Sequence, residues 1–301
     1  MLVVTNVVSG AAVRLSDSGL GCPDWPDCSA HHFTPPLALH PAIEFGNRMV
    51  VGVLTAGLVV TLVAAWRRAP HRRDLTALAG ALVGGVVAEA LVGYLVVRSH
   101  LNPYVVMAHF LLGMAMVTAA VVLCLRAGRA PAAGRPVVSH RVVVLTRALL
   151  VVLAAAVTAG TATTGAGPHA GAAPGPHGGA APRIGAPLID LVRTHSTIAL
   201  AAAGLTVVVL LLLVRTGAPT DVADRGKMLL AAMVAQGVVG YTQYFTHLPA
   251  LLVGIHVFGA TVVWSAAVWF ADGLRRHEPE PAPAPEPARG APAHRAAAAA
   301  R

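Results

Sequence analysis

Residues 250–271 read ALLVGIHVFGATVVWSAAVWFA, an apolar run of 22 residues in which His256 is the only readily ionised side chain. A helix of that length rises about 33 Å, enough to cross a hydrocarbon core of roughly 30 Å. The run therefore predicts a membrane span. Similar runs recur along the chain and predict eight spans, at residues 2–15, 42–66, 75–97, 103–126, 142–164, 188–214, 227–247 and 250–271. The first is short for a bilayer, because 14 residues make only about 21 Å of helix.

The composition supports a membrane protein. Of the 301 residues, 56% are hydrophobic and 12% are charged, and the mean hydropathy is +0.68. A soluble core needs far less apolar surface. The net charge of +9 could suit nucleic acid, but the basic residues are scattered between the spans. They are better explained by membrane topology, so lipid and not nucleic acid is the expected partner.

Loops rich in arginine and lysine alternate with loops that contain few of them. Basic side chains favour the cytoplasmic side of a membrane. The basic residues in question are Arg67, Arg68, Arg72, Arg73, Arg126, Arg129, Arg135, Arg141, Arg215, Arg225, Lys227, Arg275 and Arg276. The alternate loops, at about 16–41, 98–102, 165–187 and 246–250, should then lie outside. The pattern predicts a multi-pass protein of the cell membrane with both termini in the cytoplasm.

The chain contains an internal repeat. AEALVGY at residues 88–94 matches AQGVVGY at residues 235–241, a shift of 147 positions. The same shift carries His109 onto His256. We therefore expect an all-α fold of eight transmembrane helices, built as two tandem four-helix bundles in the same orientation. The expected divisions are 1–135, 136–272 and a disordered Pro/Ala-rich cytoplasmic tail at 273–301.

Three histidines lie six or seven residues into their spans, counted from the predicted outer end: His109, His195 and His256. Ionisable groups inside a membrane are costly and usually have a partner or a function. His195 and His256 share one depth on parallel helices, so they are candidates to hold a haem iron from both sides. The alternative is that each ring bonds only to a neighbouring carbonyl. No adjacent cluster of cysteines or carboxylates favours zinc.

The first half lacks the second histidine of such a pair. Asn47 stands near the start of the second span, where a histidine would complete the symmetry with His109. An amide is a poor iron ligand, so His109 would be the only strong protein ligand to a haem in this half. The other coordination position would be open or weakly held. This favours a site of reaction over a closed electron-transfer site.

Glu44 and Asn47 are three residues apart and share one helix face. A carboxylate at this depth is a candidate catalytic general base, or a group that stabilises developing positive charge. The alternative is a simple ion pair between Glu44 and Arg48. Arg48, like Arg98 and Arg193, could instead pair with a haem propionate.

Other polar residues have more ordinary interpretations. Glu89 and Gln236 are repeat-equivalent and are expected to hydrogen-bond across helices. His100 and His247 should lie at helix ends. The loop histidines show no spacing that specifies a metal; they are His31, His32, His40, His169 and His177.

Two of the three cysteines, Cys22 and Cys28, share the first outer loop. An oxidising compartment permits a disulfide between them, although two unpaired thiols remain the alternative. Cys124 lies near the inner end of a span.

Three motifs resemble the haem A synthase family, in an actinobacterial-type variant. Residues 18–26, SGLGCPDWP, are similar to the family's GSGLxCPDWP loop, and Cys28 fits its second cysteine. EFGNR at 44–48 resembles the E-x-x-H-R motif, with Asn47 in place of the histidine. TGAGPHAG at 164–171 resembles TGxGPHAG. The resemblance covers about residues 5–271.

This resemblance implies an oxidoreductase that converts a methyl group of haem O to a formyl group by successive hydroxylations, giving haem A for terminal oxidases. It implies that His195 and His256 bind a haem b cofactor and that the first half accepts haem O, with His109, Asn47 and Arg48 as the matching residues. It also implies a catalytic role for Glu44 and a disulfide between Cys22 and Cys28. Haem O synthase, a protohaem farnesyltransferase, and an unidentified electron acceptor are the expected partners; a homo-oligomer is left open.

Two other functions compete with this one. A non-enzymatic b-type haem protein, which carries electrons or delivers haem, is favoured by Asn47, because a lost ligand could mean lost substrate chemistry. A small-molecule transporter built on the repeat would bind no chromophore. The colour of the purified protein separates the transporter from both haem proteins.

Overall fold

Helices account for almost all regular structure in the chain. The structure, a computed structural model, describes residues 1–22, 24–25, 27–29, 32–129, 134–172 and 180–276. Those residues form the helices α1 (Leu2–Leu15), α2 (Leu39–Arg67), α3 (Arg73–Arg98), α4 (Pro103–Ala127), α5 (His140–Ala166), α6 (Leu188–Arg215), α7 (Thr220–Phe245) and α8 (Ala250–Gly273). Two short strands, β1 (Arg135–Pro136) and β2 (Arg275–Arg276), pair antiparallel. The predicted all-α class is confirmed.

Six helices, α2 to α6 and α8, are long and apolar enough to cross a membrane. In each, only 17–28% of the most apolar window is buried inside the protein. The remaining apolar surface therefore faces outward, as lipid-exposed helices require. The prediction of a multi-pass membrane protein is confirmed.

Helices α1 and α7 differ from the other six. Helix α1 is apolar but has only 14 residues. Helix α7 has 26 residues, and its first two turns carry Asp221, Asp224, Arg225 and Lys227. Charges in these turns lower the mean hydropathy of the segment. That α1 and α7 also cross the membrane stays a prediction. The total of eight spans therefore stays a prediction as well.

Tight turns join α3 to α4 and α7 to α8. Each linker has four residues, 99–102 and 246–249. Positive φ angles occur at His100 (52°) and Leu101 (62°), and again at His247 (65°) and Leu248 (60°). Left-handed backbone is uncommon outside glycine. Here it lets the chain reverse direction within each four-residue linker. The two helices on either side of each linker are therefore antiparallel neighbours.

The helices share two buried apolar clusters. One cluster is built from α1 to α4 and includes Leu54, Leu82 and Val117. The other is built from α5 to α8 and includes Leu149 and Phe270. Helices α1 and α4 pack against α8, which closes the two groups into one bundle.

The two ends of the bundle carry different chemistry. The end that contains Cys22, Asn102 and Thr246 is called here the cysteine end. The opposite end, with Arg129 and Asp272 in an ion pair, is the arginine end. At the arginine end β2 pairs with β1, so the first residues after α8 are folded back onto the bundle. His31, His177 and residues 277–301 of the predicted tail lie outside the described residues.

Candidate functional site

The imidazole rings of His195 on α6 and His256 on α8 lie close together in an edge-to-face arrangement. The ring centroids of His195 and His256 are 6.2 Å apart, and the ring planes are inclined by 78°. A metal–imidazole bond is about 2 Å long and the ring centre lies roughly 1.2 Å behind the nitrogen, so two rings on opposite sides of one metal are roughly 6.4 Å apart. The observed separation therefore fits a single metal ion between the rings.

The hydrogen bonds of the pair leave nitrogen lone pairs available for a metal. Nδ1 of His195 lies 2.9 Å from the carbonyl oxygen of Ala156 on α5. Because a carbonyl only accepts, Nδ1 carries the proton and Nε2 keeps its lone pair. Nδ1 of His256 is buried and has no hydrogen-bond partner among the described residues. A buried nitrogen without a partner is costly in a purely structural residue, but it would be satisfied if that nitrogen itself bound a metal.

Helical glycines make room for the histidine rings. A Cβ atom placed on Gly160 would lie 3.0 Å from Cε1 of His195, and one on Gly240 would lie 3.0 Å from Cε1 of His256. A Cβ on Gly93 would be 3.6 Å from the same atom of His109. Sequence reasoning missed this packing role. For Gly93 and Gly240 the sequence did contain a hint of this role, because both belong to the repeated motif.

The pair suits a porphyrin iron better than a bare metal ion. No group of three or more His, Cys, Asp or Glu side chains able to hold a metal occurs within the described part of the chain. Structural zinc sites need four protein ligands and catalytic ones need three. A porphyrin supplies the equatorial nitrogens itself, so two axial imidazoles complete its iron. The residues present therefore fit haem.

His109 on α4 has a different neighbour. Its Nδ1 atom lies 2.8 Å from Oε2 of Glu89 on α3. The direction of the ring N–H misses the oxygen, so the two atoms are close but do not form a well-aligned hydrogen bond. The His109 side chain is 38% exposed. The expected cross-helix partner of Glu89 is thus the imidazole itself.

Asn47 on α2 is already engaged by another side chain. Its Oδ1 atom accepts a 2.7 Å hydrogen bond from the hydroxyl of Ser9 on α1. This bond occupies the oxygen that could otherwise approach a metal. Among the described residues, neither Asn47 nor Glu44 makes a hydrogen bond or an ion pair with His109.

Glu44 is buried at the start of α2, with 6% of its surface exposed. Oε2 accepts a 2.7 Å hydrogen bond from the backbone N–H of Cys22, and Oε1 is 2.8 Å from a guanidinium nitrogen of Arg48. The ion pair that the sequence offered as an alternative is therefore present. The bond to Cys22 also ties Glu44 to the segment from Cys22 to Cys28, called here the cysteine loop. The sequence did not suggest this contact.

Arg48 fastens the same loop from the next turn of α2. Its guanidinium donates to the carbonyl oxygens of Cys22, Asp24 and Asp27 at 3.0–3.3 Å. A planar guanidinium with five donors can serve several acceptors at once. The helix start and the loop thus form one rigid unit.

Cys22 and Cys28 form a disulfide. Both residues are fully buried, and their Cα atoms are 4.3 Å apart. The expected pairing is confirmed. Cys124 on α4 is a free thiol.

A second loop at the cysteine end is held by Arg14 of α1. The Arg14 guanidinium donates to the carbonyl oxygens of His169 and Thr164, at 2.8 and 3.1 Å. The Nε2 atom of His169 lies 2.8 Å from the carbonyl oxygen of Leu248. His169 therefore ties the segment 164–171 to the α7–α8 turn. Nothing in the local sequence around Arg14 predicted that it would fix this loop.

Two cavities open at the cysteine end. The larger, of about 640 Å³, is lined by residues that include Arg183, Tyr244 and His247. The smaller, of about 150 Å³, is lined by Arg98 together with Asp24, Trp25 and Tyr94. Arg193 is exposed in α6. Of the three arginines suggested as propionate partners, Arg98 lines a cavity and Arg48 is engaged with the loop.

The fold and the paired imidazoles define a multi-pass helical membrane protein with a haem-compatible histidine site. The family model of COX15-CtaA, described as cytochrome oxidase assembly protein, matches residues 1–41 and 40–268. The chain belongs to this family.

Curated relatives carry the name Heme A synthase. The protein from Lysinibacillus sphaericus is 32% identical over 120 residues, which is 40% of this chain and 38% of that protein. The protein from Geobacillus kaustophilus is 31% identical over 130 residues, 42% of this chain and 40% of the relative. The protein from Geobacillus thermodenitrificans is 32% identical over 138 residues, 44% and 43% respectively. Each match thus spans about two fifths of the relative's length.

Proposed function

We propose that this protein is a haem A synthase, which oxidises a methyl group of haem O to a formyl group through successive hydroxylations and yields haem A for terminal oxidases. The observation that carries the proposal is the His195–His256 pair, whose 6.2 Å ring separation fits one iron. Membership of the COX15-CtaA family supports the same reaction, as does the name Heme A synthase of its relatives.

The cofactor in this proposal is haem b, held by His195 and His256. When bound, it supplies an iron that takes up and releases single electrons. The carbonyl of Ala156 orients the His195 ring, and Gly160 and Gly240 let both rings lie close to the neighbouring helices. These contacts would hold both imidazole rings in a fixed orientation toward the iron.

The substrate haem O belongs in the first half. His109 is the proposed ligand of its iron, while Asn47 and Arg48 lie near the start of α2 at the same end. The bond from Ser9 to Asn47 supports a site with one strong axial ligand. The side of the iron opposite His109 would then be free of a strong protein ligand, which would let the substrate enter and leave.

Glu44 is the proposed catalytic residue. Its carboxylate would stabilise the positive charge that develops on the carbon being oxidised. Arg48 and the Cys22 amide hold it in a fixed orientation at the start of α2. Such pre-orientation is what electrostatic stabilisation requires.

The chain is proposed to be a tandem duplication of a four-helix unit. The shift of 147 positions relates the left-handed pair His100 and Leu101 to His247 and Leu248. The same shift relates the packing of Gly93 on His109 to that of Gly240 on His256. Two separate apolar clusters, one in each half, support the division at about residue 135.

The proposed topology has eight crossings, with the arginine end in the cytoplasm together with both termini. The charge distribution supports it, because the arginine-rich loops all meet at one end of the bundle. The disulfide at the cysteine end fits an oxidising outer compartment. Both haem sites would then lie near the outer face. Haem O synthase is the proposed supplier of substrate, and the electron acceptor and any homo-oligomer are further proposed partners.

Replacing Glu44 tests the function. The E44A variant, expressed with a source of haem O, should retain the second-half haem and stop at haem O or its alcohol. Extracted haems are separated by chromatography, and D190A, an exposed carboxylate in the first turn of α6, is the matched control that should still give haem A. A normal haem A yield from E44A would refute the role of Glu44. No haem A from the unaltered protein would refute the enzyme.

A non-enzymatic b-type haem protein remains the second candidate. The bond from Ser9 to Asn47 favours it, because it further weakens the first-half iron site. This function predicts bound haem b in the second half and unchanged haem O in the same extraction. In either case H256A should lose the low-spin haem spectrum, and an unchanged spectrum would count against His256 as a ligand.

A further inference from the structure

A buried carboxylate on α3 has one polar side-chain partner within the described part of the chain. Glu89 is 7% exposed, and its Oε2 atom lies 2.8 Å from Nδ1 of His109. Its other oxygen, Oε1, has no hydrogen-bond partner among the described residues. A Cβ atom placed on Gly113 would lie 3.7 Å from that oxygen, an ordinary van der Waals contact. A carboxyl group is expensive at membrane depth unless it has a partner or a function.

The second half lacks this contact. At the repeat-equivalent position, Gln236 donates its amide N–H to the backbone carbonyl of His256 at 2.7 Å and does not touch the ring nitrogen. Nδ1 of His256 has no partner in the described part of the chain. Of the two equivalent histidines, His109 therefore has a carboxylate beside its Nδ1 atom and His256 does not.

We propose that Glu89 is the positioning residue of His109: it accepts the Nδ1–H and so presents Nε2 to the iron of the haem in the first half. The inference rests on the proposed function, in which His109 ligates substrate haem. Hydrogen bonds at such sites are often poorly aligned until the ligand binds. In the bound state the imidazole would need to rotate about its Cβ–Cγ bond, a torsion with a broad minimum, to point the N–H at the oxygen.

The partner has two physical consequences. A carboxylate that accepts from Nδ1 fixes the tautomer, because the proton is held on the nitrogen facing the acid. It also makes Nε2 a stronger donor to iron. A stronger, anion-backed donor favours ferric over ferrous iron, so the first-half haem should have a lower reduction potential than it would have without Glu89.

The test compares three variants of the full-length protein in detergent. E89L removes both the acceptor and the charge, E89Q keeps an acceptor oxygen, and Q236L is the matched control at the equivalent position. Hemin is titrated into each, and the binding phase that disappears in H109A reports the first-half site. The tautomer of His109 is read by ¹⁵N NMR without added hemin, with H109A identifying its signal.

We expect E89L to bind hemin in the His109-dependent phase about tenfold more weakly, as ligand-orienting partners generally do, and to lose the single tautomer. E89Q should keep the tautomer but shift the ferric–ferrous equilibrium by about tenfold, equal to about 59 mV for a one-electron couple. Q236L should leave both properties of the first half unchanged.

The outcomes separate the two proposals. If E89L and E89Q match the unaltered protein in tautomer, affinity and potential, Glu89 does not position His109. If no hemin phase depends on His109 in the unaltered protein, the first-half haem assignment fails, and the NMR tautomer in E89L and E89Q then decides the role of Glu89 alone. If E89L does not fold, the reduction potential of the first-half haem is measured in E89Q, whose side chain is nearly isosteric with glutamate.

Discussion

Single glycines decide where the histidine rings lie. Gly160 and Gly240 each leave a gap in a helix that the imidazole of the next helix fills, with a hypothetical Cβ only 3.0 Å from the ring. Real Cβ atoms are rarely that close to a neighbour, so any other residue must displace the ring. A displaced ring would lose its alignment with iron, because axial ligation tolerates little lateral error.

Replacing Gly240 with alanine should therefore reduce haem binding in the second half by roughly tenfold, in the range for lost support of a metal ligand. Haem content per protein is measured by the pyridine haemochrome method. Gly237, on the same helix, has open space around its Cα, so G237A serves as the matched control and should retain full haem. Equal haem content in the two variants would show that the glycine contact is irrelevant.

At the scale of the element, the start of α2 and the cysteine loop act as a unit. The loop is closed covalently by the disulfide, and Arg48 and Glu44 fix it to the helix through its backbone. The proposed catalytic carboxylate is thus held by the loop as much as by its own helix. Loosening the loop should alter the position of Glu44.

Replacing Arg48 with lysine tests this coupling. An ammonium cannot reproduce the planar set of donors, and hydrogen bonds from charged groups contribute about 1.5–3 kcal/mol. We expect hydrogen–deuterium exchange in the loop to be roughly tenfold faster in R48K than in the unaltered protein. The control is R67K, an exposed arginine at the other end of the same helix. Unchanged exchange in R48K would mean that the disulfide alone orders the loop.

At the scale of the whole molecule, two of the polar contacts between the halves involve α8. The indole N–H of Trp264 on α8 donates a 2.7 Å hydrogen bond to the hydroxyl of Thr118 on α4. Trp264 also packs against both apolar clusters. At the arginine end, Arg129 pairs with Asp272 across the same boundary. Both contacts hold α8 against the first half.

Replacing Trp264 with phenylalanine should destabilise the bundle by about 1 kcal/mol or more, since the hydrogen bond from the indole N–H to Thr118 is lost and apolar packing shrinks. Thermal unfolding in detergent measures the effect. Trp66 is 65% exposed, so W66F is the control and should unfold at the unaltered temperature. A W264F protein as stable as W66F would show that the contact between halves is dispensable.

The orientation of the protein in the membrane is testable with two threonines that cap helices at opposite ends of the bundle. Thr216 ends α6 and Thr246 ends α7, and each hydroxyl bonds to a carbonyl four residues earlier. In a C124S background, a membrane-impermeant maleimide should label T246C in intact cells and T216C only after the membrane is opened. The reverse pattern would invert the proposed topology.

Local features of the sequence predicted most of the fold. Apolar run length sets where helices begin and end, so every predicted span corresponds to an observed helix with similar bounds. The spacing of His195 and His256 within their spans predicted their common depth, because rise per residue is constant. The confirmed disulfide was expected from two cysteines in one loop of a recognisable motif.

Contacts between distant segments could not be predicted, because they depend on how each helix is rotated about its own axis. The bond from Ser9 to Asn47 joins residues 38 positions apart, and Arg14 reaches a carbonyl 155 positions away. Glu89 could be expected to bond across a helix, but only packing decided that its partner is His109. The sequence by itself determined the helices and the position of each histidine along its helix. Tertiary structure alone decided which side chains meet, since side-chain direction follows from interhelical packing and not from local pattern.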